Sequence, residues 1–92
     1  MEKQNTINKK LDYETELLVI TMEECGELIQ ACSKVLRRGA DEKSLKDLQD
    51  EAGDVLCMLE LLQNWDYVSW QELENRVQYK KDKLKTWSNL VE

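Results

Sequence analysis

The sequence predicts an all-α fold, and three observations predict it. Ninety-two residues contain no proline and only three glycines, so little in the chain interrupts long helices. Hydrophobic residues make up 41% and charged residues 35%, a mix rich in Leu, Glu and Lys that suits amphipathic helices better than a sheet. Apolar positions also recur at intervals of three and four along most of the chain. The expected architecture is an antiparallel bundle of three main helices in a single domain over residues 12–92, preceded by a flexible lead-in over residues 1–11.

The lead-in is polar apart from Ile7 and Leu11, which can form a short extra turn. Asp12 is a good N-cap, and the first helix runs from it to about Arg38. Lys34, Arg37 and Arg38 suit its C-terminus, and Gly39 stands where a left-handed C-cap is expected. Its seam reads Leu17, Thr21, Glu24, Leu28, Ala31, Val35. The second helix begins at Asp41 or Ser44, the latter resembling a capping box with Asp47, and ends near Trp65. It carries two seams: Leu45, Leu48, Ala52, Val55, Leu59, Leu62, and Glu51, Asp54, Met58, Leu61. The short break Asp66-Tyr67-Val68 predicts that helices two and three are antiparallel neighbours. Ser69 and Glu72 form a capping box for the third helix, whose seam is Leu73, Val77, Lys80, Leu84, Trp87, Val91. Three helices share little core at this length, yet their apolar faces are broad. A second copy of the chain is expected to complete them, as a homodimer or homotetramer.

The net charge of −6 argues against general nucleic-acid binding, which needs excess Lys and Arg. An acidic protein can still hold a polyphosphate if a divalent cation bridges the two. Cys25, Cys32 and Cys57 are odd in number and sit in helical patterns, which points to reduced thiols in a cytoplasmic protein, buried as small apolar residues. There is no CxxC pair and no histidine, so zinc is disfavoured. The first ten residues lack the apolar stretch of a signal peptide, and no apolar run is long enough for a membrane span.

The informative charges are those that break the apolar pattern. Glu24 lies in the middle of the first helix's seam, with Glu27 at its rim and Glu23 beyond; Glu51 and Asp54 open a seam on the second helix. Lys80 occupies the centre of the third. Burying unpaired carboxylates costs several kcal/mol each, and clustering them costs more. Acids spaced three apart share a helix face, so each pair can offer two carboxylates to one cation. All-oxygen donors select a hard ion, Mg²⁺ or Mn²⁺. Glycine recurs inside both motifs, Glu24-Cys25-Gly26-Glu27 and Glu51-Ala52-Gly53-Asp54, despite its cost of about 1 kcal/mol in a helix, which suggests that the backbone needs clearance there. Either motif by itself is commonly a solvated helix face, a lysine such as Lys80 commonly snorkels, and the aromatic residues commonly pack.

Glu24-x-x-Glu27, 23 intervening residues, then Glu51-x-x-Asp54 resembles the signature of the MazG-like all-α nucleoside triphosphate pyrophosphohydrolases. Glu23-Glu24-x-x-Glu27-Leu28 and Glu51-Ala52-Gly53-Asp54-Val55 match its two halves, and the similarity spans about Leu17 to Leu84. The resemblance implies that Glu24, Glu27, Glu51 and Asp54 hold Mg²⁺. It implies hydrolysis of a (deoxy)nucleoside triphosphate to the monophosphate and pyrophosphate. It further implies a role for Glu23 in orienting or deprotonating water, and phosphate-facing lysines, with Lys80 the best match and Lys83 second. Compact single-domain members of this kind are often found in phages and mobile elements. Two other classes compete. A non-catalytic helical homo-oligomeric interaction module explains the seams but not Glu24 or Lys80, and a di-iron carboxylate bundle would normally use Glu-x-x-His pairs.

Overall fold

The computed structural model describes residues 12–91, and the lead-in expected over 1–11 lies outside them. Three α-helices follow one another: α1 (Tyr13–Arg38), α2 (Glu42–Asn64) and α3 (Trp70–Trp87), with no strand among the described residues. The chain divides into two compact units, Met1–Leu61 and Leu62–Glu92.

In the first unit, the Asp12 carboxylate accepts the Thr15 backbone N–H at 2.8 Å and starts α1 where the sequence places it. Gly39 closes the helix, its N–H donating to the Val35 carbonyl at 2.8 Å. Its φ of 87° and ψ of 168° are extended rather than the left-handed helical geometry expected, a region essentially restricted to glycine. Within the expected seam, Leu17 and Ala31 are buried, while Thr21, Glu24, Leu28 and Val35 are half-buried. The Thr21 hydroxyl is absorbed locally by the Leu17 carbonyl at 2.7 Å.

The second helix takes the first of its two expected starts and differs from expectation in its capping box and its seams. Asp41, not Ser44, is its cap: the Asp41 carboxylate accepts the Ser44 N–H at 2.7 Å, which puts Ser44 inside the first turn, where it is buried. No bond joins Ser44 to Asp47, whose carboxylate pairs instead with Lys43 at 3.7 Å. The two seams also merge into one buried stripe lying between them: Ser44, Leu48, Glu51, Val55, Met58, Leu62. Leu45, Ala52 and Leu61 are left exposed. The three-residue connection after Arg38 and the approach of Glu24 to Glu51 make α1 and α2 an antiparallel hairpin.

In the second unit, the turn after α2 is tied by Asp66 N–H to the Gln63 carbonyl (3.0 Å) and Tyr67 N–H to the Leu62 carbonyl (2.9 Å). Asp66 takes a φ of 65°, which a short polar side chain tolerates better than most. The Ser69 hydroxyl accepts the Glu72 N–H at 3.2 Å, giving the cap expected for α3. That helix stops at Trp87, so Val91 lies beyond it. Leu73 and Leu84 are half-buried, whereas Val77, Lys80 and Trp87 are exposed.

The core is small. Its buried hydrophobic members are Leu17, Ala31, Met58 and Leu62, and no large side chain among the described residues is fully buried. All three cysteines are exposed free thiols, contrary to the expectation that they pack inside. They fall on helix faces turned away from the buried stripes. No helix among the described residues is long and apolar enough to cross a membrane.

Candidate metal centre

The hairpin brings together side chains 27 residues apart in sequence. One carboxylate oxygen each from Glu24, Glu51 and Asp54 lies within 4.8 Å of the others, the spacing of a group able to share one cation. Glu24 and Glu51 are half-buried and Asp54 is exposed. They border an open cleft of about 650 Å³ that is also lined by Glu23, Gly26, Glu27 and Gln30. Five carboxylates therefore face one cavity.

The electrostatics are those of an uncompensated site. Glu24 Oε2 is buried and has no hydrogen-bond partner, an arrangement that normally costs more than 1 kcal/mol for a polar atom and more for a charged one. Burial pushes the Glu51 carboxyl above its ordinary value of 4.5, and the negative charges of Glu27, Asp54 and Glu24 push it in the same direction. No cation of the protein forms an ion pair with these acids among the described residues; the ion pairs there are Lys43–Asp47, Lys46–Asp50 and Lys85–Asp82. An all-oxygen donor set with an orphaned buried oxygen fits a hard divalent ion, so the residues present suit Mg²⁺ or Mn²⁺.

Of the expected site residues, Glu24, Glu51 and Asp54 converge, and Glu23 and Glu27 line the same cleft. Lys80 and Lys83 belong to α3 in the second unit. Both are exposed there and lie over rings of their own helix, Lys80 Nζ 5.2 Å from the Trp87 centroid and Lys83 Nζ 5.5 Å from that of Tyr79. Sequence reasoning missed Gln30. Its signal was present, because residues 23, 27 and 30 follow one another at four- and three-residue steps and share a face. Clearance for the helical glycines is not supplied by a neighbouring helix of the chain: a Cβ at Gly26 or Gly53 would meet nothing within 4 Å. Gly26 does line the cleft.

A family model described as the MazG nucleotide pyrophosphohydrolase domain matches residues 13–86, from the first residue of α1 almost to the last of α3. No match is found among curated proteins or among solved structures.

Proposed function

Because the chain belongs to the MazG nucleotide pyrophosphohydrolase family, we propose that it hydrolyses a (deoxy)nucleoside triphosphate to the nucleoside monophosphate and pyrophosphate in a Mg²⁺-dependent reaction. The observation that carries this reading is the convergence of Glu24, Glu51 and Asp54 around a buried oxygen that has no partner. These three, with Glu27 on the rim of the cleft, are the proposed metal ligands. Bound Mg²⁺ would draw the triphosphate to an otherwise repulsive acidic cleft and lower the pKa of a coordinated water.

The chain's own groups take the remaining roles. Water adds to phosphorus at one side of the α–β bridge, and the bridging oxygen leaves with its phosphoryl group. Glu23 lines the cleft outside the tight three-carboxylate group, which leaves it available to orient that water and accept its proton. Lys80, with Lys83 second, is assigned to the phosphates on the resemblance of the sequence, offsetting charge on their oxygens. Residues 12–92 are read as one functional domain, since the family match runs through both compact units. The working form is read as a homodimer or homotetramer in a reducing cytoplasm, supported by the small core and the three free thiols.

The test is pyrophosphate release from a panel of canonical and modified nucleoside triphosphates with Mg²⁺. Glu24→Gln and Asp54→Asn should remain helical and lose the release. Wild-type turnover that survives excess EDTA overturns the metal-dependent reaction.

A further inference from the structure

The acidic cleft is lined by five carboxylates, Gly26 and Gln30. With the acids ionised, Gln30 carries the one side chain of that lining able to donate a hydrogen bond, and its amide can accept one as well. Among the described residues no hydrogen bond engages that amide. The amides of Gln71 and Gln78, by contrast, are taken up by Asn75 and Asp82, each four residues further along the same helix. Four residues before Gln30, where a side chain would lie beside it on the helix, stands Gly26. A Cβ added at Gly26 would meet nothing within 4 Å, so open space adjoins the amide.

Helix phase sets where Gln30 stands. At 100° per residue, Glu27 lies about 60° outward from Glu24 and Gln30 about 120° outward. Along the axis Gln30 is about 9 Å from Glu24. It is therefore the α1 side chain of the lining that lies farthest from the three converging carboxylates, and it is exposed at the lip. A substrate gripped at those carboxylates through a cation would present to Gln30 a part that the cation does not hold.

The chemistry of the lip names that part. A terminal phosphate is disfavoured, because Glu27 stands three residues away on the same surface and only a neutral amide would receive the added charge. A base is disfavoured as well: no aromatic or aliphatic side chain lines the cleft, so a flat ring has nothing to stack on. A sugar hydroxyl meets neither objection. It is neutral, it donates and accepts as the amide does, and a short covalent link joins it to the phosphates.

We propose that Gln30 binds a hydroxyl of the substrate's sugar, so that the sugar, not the base, is what this cleft recognises. The inference rests on the nucleoside triphosphate reading and adds a recognition residue to it.

The test is calorimetric titration of the full chain, in Mg²⁺, with α,β-methylene nucleoside triphosphates, which resist cleavage at that bridge. Analogues of one base carrying ribose, 2′-deoxyribose or 2′,3′-dideoxyribose are compared. Loss of the recognised hydroxyl should weaken wild-type binding about three- to tenfold, the scale of one neutral hydrogen bond. Gln30→Leu should weaken the hydroxyl-bearing analogue to the same extent, leave the dideoxy analogue unchanged and keep the order of preference among bases. The rise in Tm on adding Mg²⁺ should be equal in both proteins, since Gln30 holds no ion. Equal losses with both sugars, no loss with either, a reordering of bases, or no binding by wild type overturns the proposal. Should Gln30→Leu unfold or associate, Gln30→Ala reads the same coupling. Pyrophosphate release from cleavable nucleotides is assayed alongside. Hydroxyl-dependent binding without release overturns the reaction alone, and release without hydroxyl dependence overturns this inference alone.

Discussion

Glu24 and Glu51 were legible as anomalies because a carboxylate inside an apolar repeat has no reason to be there on packing grounds. Their cost is visible in the orphaned Glu24 oxygen and in the upward push on Glu51. The pH dependence follows with a definite sign. A carboxyl whose folded pKa lies above its unfolded value favours the fold fully below the unfolded value, and that contribution is lost as pH rises through the folded one. For Glu51 the loss begins above 4.5. Asp12 and Asp41 act oppositely: the Thr15 and Ser44 backbone N–H groups hold their carboxyls below 3.8, so their contribution is present above that value and lost as pH falls through the lowered one. Metal-free protein should therefore melt highest in mildly acidic buffer and lower at neutral pH. Glu51→Gln should remove most of the neutral-side decline, read by circular dichroism melts at a series of pH values in EDTA. Gln30 escaped a sequence reading because an uncharged amide does not break the polar side of a helix as a carboxylate breaks an apolar seam, so only its four- and three-residue steps from Glu23 and Glu27 mark it.

At the scale of elements, the helix of the hairpin with one buried seam was read correctly, and the helix with two was not. On α1 every expected seam residue is at least half-buried. On α2 the sequence offered apolar residues over a wide arc, and the buried stripe runs through the middle of it, leaving apolar residues exposed on one side and Asp54 on the other. Only the partner helix fixes which part of a broad arc is inside. The same reasoning makes Gly53 testable. Its added Cβ would meet nothing, so Gly53→Ala should stabilise α2 by about 1 kcal/mol in thermal melts. If the Glu51–Asp54 motif needs that space for a bound triphosphate, KM should rise while Mg²⁺ binding stays unchanged. Ser69→Ala should lower stability by about 1 kcal/mol through loss of the α3 cap.

For the whole molecule, the buried hydrophobic residues among those described are Leu17, Ala31, Met58 and Leu62, and single losses at them are severe. Met58→Ala is expected to cost about 2–5 kcal/mol in denaturant unfolding, a large share of the stability of so small a domain. A bound Mg²⁺ would act in the other direction. An ion present at 100 times its Kd stabilises by about 2.7 kcal/mol, which should raise Tm by roughly ten degrees or more in a chain of this size. Glu24→Gln should melt higher than wild type in EDTA and gain less from Mg²⁺.

The unpartnered oxygen of Glu24 has a consequence for how long the protein survives. With its carboxylates repelling one another, the chain without a bound cation should open more often, and each opening would expose helix to proteases. Supply of the ion would then set abundance as well as turnover, because starvation for Mg²⁺ would leave fewer copies to be reactivated. Limited proteolysis with and without Mg²⁺ should show this directly, as a digestion half-life that lengthens in wild type and barely changes in Glu24→Gln.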